Sequence, residues 1–358
     1  MSVWAQIWTI ARLELFRVFF SKRSFWVYGL ALFPVVIFTG HAIDSKFRQQ
    51  RWGEGSRITP VMMDSFREGA TGEEILEKAG TPQRDLKWTR RQRRDEDDEG
   101  PDRRRFMTFF DGKRQAQLNF SDGKLTSVRI SPLLNFEEDR KIFAGVFQYF
   151  YLRLGIFFGC LGIFINLFRG EMLDCSLHYW FLAPVKREVL LMGKYLAGLI
   201  AAASIFTAGA ALCFGALLFP HESGEVAAYL NSVGYEHLAW YALAAALGCV
   251  GYGSVFLAAG LLLRNPIVPA VVLLLWEASN SFLPDILQKL SVLHYLQSVC
   301  PVPAPMNSNA PALLRMLLSP AAPSSVWVAI AGLLGVTALV LFAASQAVRR
   351  LEINYGTE

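Results

Sequence analysis

The sequence predicts an all-α polytopic membrane protein with six transmembrane helices and a small α+β extracytoplasmic domain inserted between helices 1 and 2. Three observations predict it. Of the 358 residues, 53% are hydrophobic, and the mean hydropathy is positive. The apolar residues come in long blocks instead of being scattered at the period of a soluble helix or strand. A polar, charge-rich segment, residues 44–141, separates the first block from the others.

A spanning helix needs roughly 20 mainly apolar residues, because the hydrocarbon core is about 30 Å thick and each residue rises about 1.5 Å. Six blocks reach or approach that length: Ser24–Ile43 (24–43, helix 1), Ile142–Phe168, Leu190–Leu218, Leu238–Leu263, Ile267–Leu283 and Val326–Val348, the last five within 142–358. An even number of spans puts both termini on one side. The loops on that side carry Arg12, Arg17, Lys22, Arg23, Arg169, Lys186, Arg187, Lys194, Arg264, Arg349 and Arg350. The opposite short loop, 219–237, carries no Lys or Arg, and the loop 284–325 carries only Lys289 and Arg315. Short cytoplasmic loops hold the basic excess, whereas long translocated domains are largely exempt. Both termini are therefore expected in the cytoplasm, in a multi-pass protein of the cell inner (plasma) membrane.

Residues 1–23 precede the first span. Trp4, Ile7, Trp8, Ala11, Leu15 and Val18 recur at helical spacing, with Arg12 and Glu14 pointing elsewhere. A basic amphipathic helix with Trp on its apolar side suits a membrane interface; a plain cytoplasmic extension of the first span is the simpler reading. The lead is longer than that of a signal peptide, so the first span is expected to be an uncleaved anchor.

Within 44–141, the stretch 90–105 reads RRQRRDEDDEGPDRRR. It has no apolar side chain beyond Pro101 to offset the entropy of ordering, so it is expected to be disordered or a solvated loop. Its acids nearly cancel its bases, which argues against a nucleic-acid patch. A β signal follows over 104–130. Ala116, Leu118 and Phe120 alternate with Gln115, Gln117 and Asn119, and Thr126, Val128 and Ile130 share a face in the next segment. Asp111-Gly112 and Asp122-Gly123 stand at the breaks, where tight hairpins need positive φ. The expectation is a three-stranded meander. The apolar outer loop 284–325 is expected to form interfacial helices, with Ile286, Leu287, Leu290, Leu293 and Leu296 as a stripe and 312–318 as a second short helix.

Catalytic and metal motifs are absent from the sequence. There is no phosphate-cradling Gly-x-x-x-x-Gly-Lys-[Ser/Thr] and no His-Glu-x-x-His. The five cysteines stand singly, and His41, His178, His221, His237 and His294 have no metal-ligand spacing. Ser254 in Gly251-Tyr252-Gly253-Ser254 lacks the following Gly and a base for a hydrolase elbow. No cofactor is expected on this chain.

The loop after the second span, RGEMLDCSLHYWFLAPVKREVLLMGK (169–194), carries the functional expectation. A charged turn leads into a short amphipathic helix through Leu177, Tyr179, Trp180 and Phe181; Pro184 stops it. Lys186 and Arg187 then open the next span, and Lys194 is placed to snorkel. An ordinary interfacial linker would read similarly. The stretch resembles the coupling loop of type-2 ATP-binding-cassette exporter permeases: a Glu (Glu171), a short helix, Ala183-Pro184, the basic pair Lys186-Arg187, and Gly193-Lys194. Where that family often has Gly-Thr, this sequence has Cys175-Ser176. The resemblance implies that loop 169–189 docks on a cytosolic ATP-binding-cassette ATPase, that ATP-Mg is held by that partner, and that a second permease chain completes a homo- or heterodimer. A membrane-anchored sensor or assembly factor using the β domain to bind a ligand is the competing class, but the tail after Val348 is short for an output domain.

Within the spans, Arg153, Glu277 and Asn280 are polar. Charges in hydrocarbon are costly and find partners, so Arg153 and Glu277 are expected to pair, directly or through water, either as a structural pair or lining the translocation route. Gly155 and Gly159 form a Gly-x-x-x-Gly face that permits close helix packing, within the chain or across a dimer.

Overall fold

The structure, a computed structural model, describes residues 2–21, 24–53, 58–67, 69–90, 102–111, 113–174, 176–182, 184–263, 267–279, 287, 290–303 and 325–350. Its helices are α1 (Val3–Phe20), α2 (Ser24–Gly53), α3 (Pro60–Asp64), α4 (Gly72–Ala79), α5 (Phe136–Leu173), α6 (Leu177–Leu182), α7 (Arg187–Leu218), α8 (Ser223–Leu262), α9 (Ile267–Ala278), α10 (Val292–Val299) and α11 (Val326–Arg349). Four strands lie between α4 and α5: β1 (Arg84–Arg90), β2 (Asp102–Phe110), β3 (Arg114–Ser121) and β4 (Lys124–Pro132). The chain is a mainly helical, polytopic membrane protein. Among the described residues, α2, α5, α7, α8 and α11 are long and apolar enough to cross a bilayer. Helix α9, from the expected fifth span, has 12 described residues, about 18 Å of rise. Most of the outer loop 284–325, with its second short helix, and Asn280 lie outside the described residues.

The chain divides into two compact units. The first comprises Met1–Phe38, Arg140–Leu218 and Ser223–Glu358. Helices α7 and α8 are at its centre, packed on one another; α1 lies along α7, and α5, α10 and α11 lie along α8. An aromatic cluster fills the interior: the Phe147 and Phe143 rings meet Tyr241 with centroids 4.7 and 5.0 Å apart, in edge-to-face pairs. The Gly face of α5 packs within the chain, since a Cβ on Gly159 would collide with Phe206 of α7 and touch Val27 of α2. Gly193 performs the same service for α1: a Cβ there would lie 2.7 Å from Ile10 and 3.2 Å from the Ile7 carbonyl.

The second unit comprises Thr39–Asp139 with Phe219–Glu222. Its antiparallel sheet runs β1-β2-β3-β4, one strand more than the expected meander. Helices α3 and α4 cover one face, burying Met63, Ile75 and Ala79 against Met107, Phe109, Ala116, Leu118 and Phe120. Strand β1 escapes a hydropathy reading because its core-side positions are polar. Asp85 stands opposite Met107 and binds the Arg105 guanidinium through two hydrogen bonds of 2.8 and 2.6 Å, while Leu86, on the other face, is 41% exposed. Strands reach Arg90 and resume at Asp102, so both ends of 90–105 are ordered; 91–101 lie outside the described residues.

The expected face of β4 also needs correction. The register shifts between Asn119 and Phe120, leaving Thr126 as an extra residue. That bulge puts Leu125 and Val128 on the core together and leaves Thr126 exposed, donating its hydroxyl to the Asn119 carbonyl at 2.9 Å. One inserted residue reverses the alternation beyond it. The Asp122-Gly123 turn matches its chemistry, and Gly112 lies outside the described residues. Asp122 and Gly123 both have positive φ, 51° and 82°, as a two-residue hairpin requires. Asp111 Oδ1 accepts the backbone N–H of Lys113 and Arg114 at 3.0 and 2.7 Å.

Candidate functional site

Four elements of the first unit converge at one end of the bundle: α1, the last turn of α5, α6 and the first turns of α7. Helix α1 buries Ile7, Ile10, Ala11, Glu14 and Val18 and packs on Val189 and Leu190 of α7. Trp4 and Trp8, expected on the same apolar face, are instead exposed, at 78% and 58%, as are Phe16 and Phe20. At 100° per residue the buried stripe is too narrow to include them, so α1 has two apolar faces, one against α7 and one turned outward.

Lys194 sits at the meeting point and is fully buried, which overturns its expected snorkelling. Its Nζ donates to Glu14 Oε1 at 2.6 Å and to Glu171 Oε1 at 2.8 Å. Glu171 is 2% exposed, and the same Oε1 accepts Trp180 Nε1 at 3.1 Å and Arg17 Nη1 at 3.2 Å. Arg17 Nη2 reaches Asp174 at 3.6 Å. The Lys194 ammonium also lies 5.2 and 5.6 Å from the Trp180 and Phe168 ring centres, within cation–π range. The ammonium thus holds two carboxylates from helices distant in sequence, and Trp180 ties α6 to the same carboxylate.

Helix α6 occupies the residues expected of the short helix. Ser176 N–H donates to the Glu171 carbonyl at 2.9 Å and the Ser176 carbonyl accepts Tyr179 N–H at 3.2 Å, so a tight turn separates α6 from α5. Leu177 is fully buried and Trp180 points inward, whereas Tyr179 and Leu182 are 69% and 78% exposed. Pro184 and Lys186 are also exposed. The Phe181 side chain lies outside the described residues. Arg187 is engaged: its Nη1 donates to the Val348 and Arg349 carbonyls at 3.4 and 3.2 Å, satisfying the C-terminal end of α11.

The other expected pair is arranged differently. Arg153 Nη2 donates to the backbone carbonyl of Glu277 at 3.3 Å, not to its carboxylate. That carboxylate, on a side chain 2% exposed, accepts the Ser291 hydroxyl and the Val292 N–H, the latter at 3.0 Å. Ser291 Oγ in turn accepts His294 N–H at 3.2 Å. Glu277 and Ser291 together cap α10, where unsatisfied N–H groups and the positive end of the helix dipole favour a carboxylate.

Sequence reasoning missed Glu14 as a site residue, although a signal was there: Ile7, Ile10, Glu14 and Val18 follow the i, i+3, i+7 spacing of the buried stripe. In comparisons with known proteins, no family model matches the chain, and no curated protein matches it.

Proposed function

We propose that this chain is the membrane-spanning permease subunit of an ATP-driven exporter, with α6 as the element through which a cytosolic ATP-binding-cassette ATPase moves the bundle. The observation that carries this reading is the two-sidedness of α6. Its outer side offers Tyr179 and Leu182 to a partner, with Pro184 and Lys186 exposed just after it; its inner side is fastened through Trp180 to Glu171, and thence to Lys194 and Glu14. A push on such a helix is delivered to three long elements at once, because buried, hydrogen-bonded charges break only at high cost. For a partner to do conformational work, its affinity for α6 must differ between its ATP-bound and hydrolysed states.

In this reading ATP-Mg stays on the partner, and a second permease chain completes the assembly. Both termini and α6 lie on the cytoplasmic side of the inner membrane, and the unit inserted after α2 is extracytoplasmic. Helix α9 belongs to the fifth of the six spans, Ile267–Leu283. The outward Trp4, Trp8, Phe16 and Phe20 of α1 suit the bilayer interface, where aromatic side chains concentrate.

The test is purification from mild-detergent membranes. A stoichiometric nucleotide-binding partner is expected, with ATPase activity that Tyr179→Ser uncouples from transport while the chain still folds. A clean preparation without such a partner, under conditions that preserve other membrane complexes, would overturn the reading and favour a sensor or assembly factor.

A further inference from the structure

Helix α1 carries a row of side chains that the Lys194 centre does not use. Trp4, Trp8, Arg12, Phe16 and Phe20 recur at every fourth residue. At about 100° per residue each stands one turn beyond the last, so the five form a single ridge about 24 Å long. The ridge lies on the side of α1 that α7 leaves uncovered, and all five side chains are exposed. The Phe16 and Phe20 rings touch, with centroids 4.8 Å apart. One guanidinium thus stands in the middle, with two aromatic side chains on either side of it. The other charges of α1 are engaged elsewhere. Glu14 is turned inward onto Lys194, and Arg17 is taken by Glu171 and Asp174. Among the described residues, Arg12 therefore has no acid partner, and no acid shares its face.

We propose that this ridge lies in the head-group layer of the bilayer and that Arg12 grips a lipid phosphate, selecting anionic over zwitterionic phospholipid. A continuous exposed aromatic row marks an interaction surface, and the central charge decides what covers it. A second copy docked by the same face would desolvate Arg12 with no carboxylate on that face to pair with it. The lipid interface accepts both parts of the ridge: aromatic rings concentrate at head-group level, and a guanidinium extends from an apolar surface to the phosphates. The planar fork of Arg matches two phosphate oxygens at once. In a zwitterionic head group the phosphate already has its own cation, whereas an anionic head group leaves its charge to Arg12. The inference takes the interfacial position of α1 from the reading above and adds the lipid it selects. No ATPase partner enters, so it stands or falls apart from the exporter assignment.

The test reads Trp8 in the full chain, held in nanodiscs of mixed phosphatidylcholine and phosphatidylglycerol with bromine on the acyl chains of one lipid or the other. The Trp8 signal is the emission lost in Trp8→Phe. Both brominated lipids are expected to quench it. The local ratio of phosphatidylglycerol to phosphatidylcholine should fall about fivefold in Arg12→Gln, the effect of one basic residue at a membrane surface. Arg12→Lys, which keeps the charge and loses the fork, should retain most of the ratio. Trp8 and Arg12 are both exposed, so these variants keep the fold. A ratio unchanged in Arg12→Gln overturns the proposal. So does a Trp8 signal that acrylamide quenches and neither lipid does, which puts the ridge in water. A signal that none of the three reaches puts the ridge under protein and overturns it as well, and a disulfide-linked pair of Trp8→Cys chains would then assign that cover to a second copy.

Discussion

Two ion-paired centres, one in each unit, use the same chemistry with opposite consequences. In the inserted unit Arg105 and Asp85 meet through two hydrogen bonds at the rim of a sheet, their side chains 23% and 30% exposed. In the helical unit Lys194 meets Glu14 and Glu171 with all three side chains at most 4% exposed. Solvent screens the first, so its net worth is roughly 0–1 kcal/mol. The second is buried, and removing one partner strands the others at a cost of roughly 3–5 kcal/mol. Exposure, more than distance, separates a pair that decorates a fold from one that holds helices together.

The comparison breaks most visibly at Lys194. Lys194→Met should leave two buried carboxylates without their shared cation and lower the stability of the purified chain by about 3–5 kcal/mol, read as a large drop in its thermal unfolding temperature in detergent. Adding Glu14→Gln and Glu171→Gln to that variant should recover most of the loss, because the stranded charges are then gone. If the triple variant stays as unstable as the single one, packing and not charge holds α1 and α7 together.

A smaller effect is expected at Glu277. Glu277→Leu removes the carboxylate cap of α10 and should cost about 1–3 kcal/mol, the penalty for leaving buried donors unsatisfied. Hydrogen exchange at Val292 and Leu293 should rise before exchange elsewhere in the bundle does. Smaller again is the hairpin turn of the inserted unit. Gly123→Val places a β-branched residue at φ 82° and should cost about 1–2 kcal/mol, seen as faster exchange along β3 and β4 with α7 unaffected.

The smallest effect sharpens the comparison from its other side. The Arg105 hydrogen bonds hold the Asp85 carboxyl below the usual aspartate range. A folded value below the unfolded one gives a contribution fully present above the unfolded pKa of about 4, lost as pH falls through the folded value. Protection of the β1 and β2 amides, taken relative to the unstructured exchange rate at each pH, should therefore be insensitive to pH between neutrality and about 5 and should fall below about 4. Asp85→Asn should flatten that dependence while costing less than about 1 kcal/mol at neutral pH. A loss as large as that of Lys194→Met would contradict the role given to exposure.

The two units also differ in how much of them the sequence disclosed. Six long apolar blocks were legible, and among the described residues five of them are helices long and apolar enough to span, since a bilayer-length run of apolar residues has few other uses. The Asp122-Gly123 turn was legible because only a few residue types tolerate positive φ. The short α6 was legible from Leu177 to Pro184, where an amphipathic stretch ends at a proline. Strand β1 was not, because Asp85 and Lys87 occupy its core-side positions and reverse the hydropathy signal. Nor was the β4 bulge, where a single extra residue switches which side chains face inward.

For the candidate site, the sequence by itself determined the ingredients: a Glu at the end of one span, a Trp on a short helix, a Lys one turn into the next span, and an amphipathic lead helix. Tertiary structure alone decided that they form one centre. Glu14 and Lys194 are 180 positions apart, and no local pattern specifies which of several Glu residues will share a Lys. That choice follows from how closely α1 approaches α7 at Gly193 and from the burial of the three side chains there, both properties of packed helices and not of any one segment. The same holds for Arg153 and Glu277. Their positions in apolar segments demanded partners, but only the fold assigned the carboxylate to a helix end and the guanidinium to a backbone carbonyl.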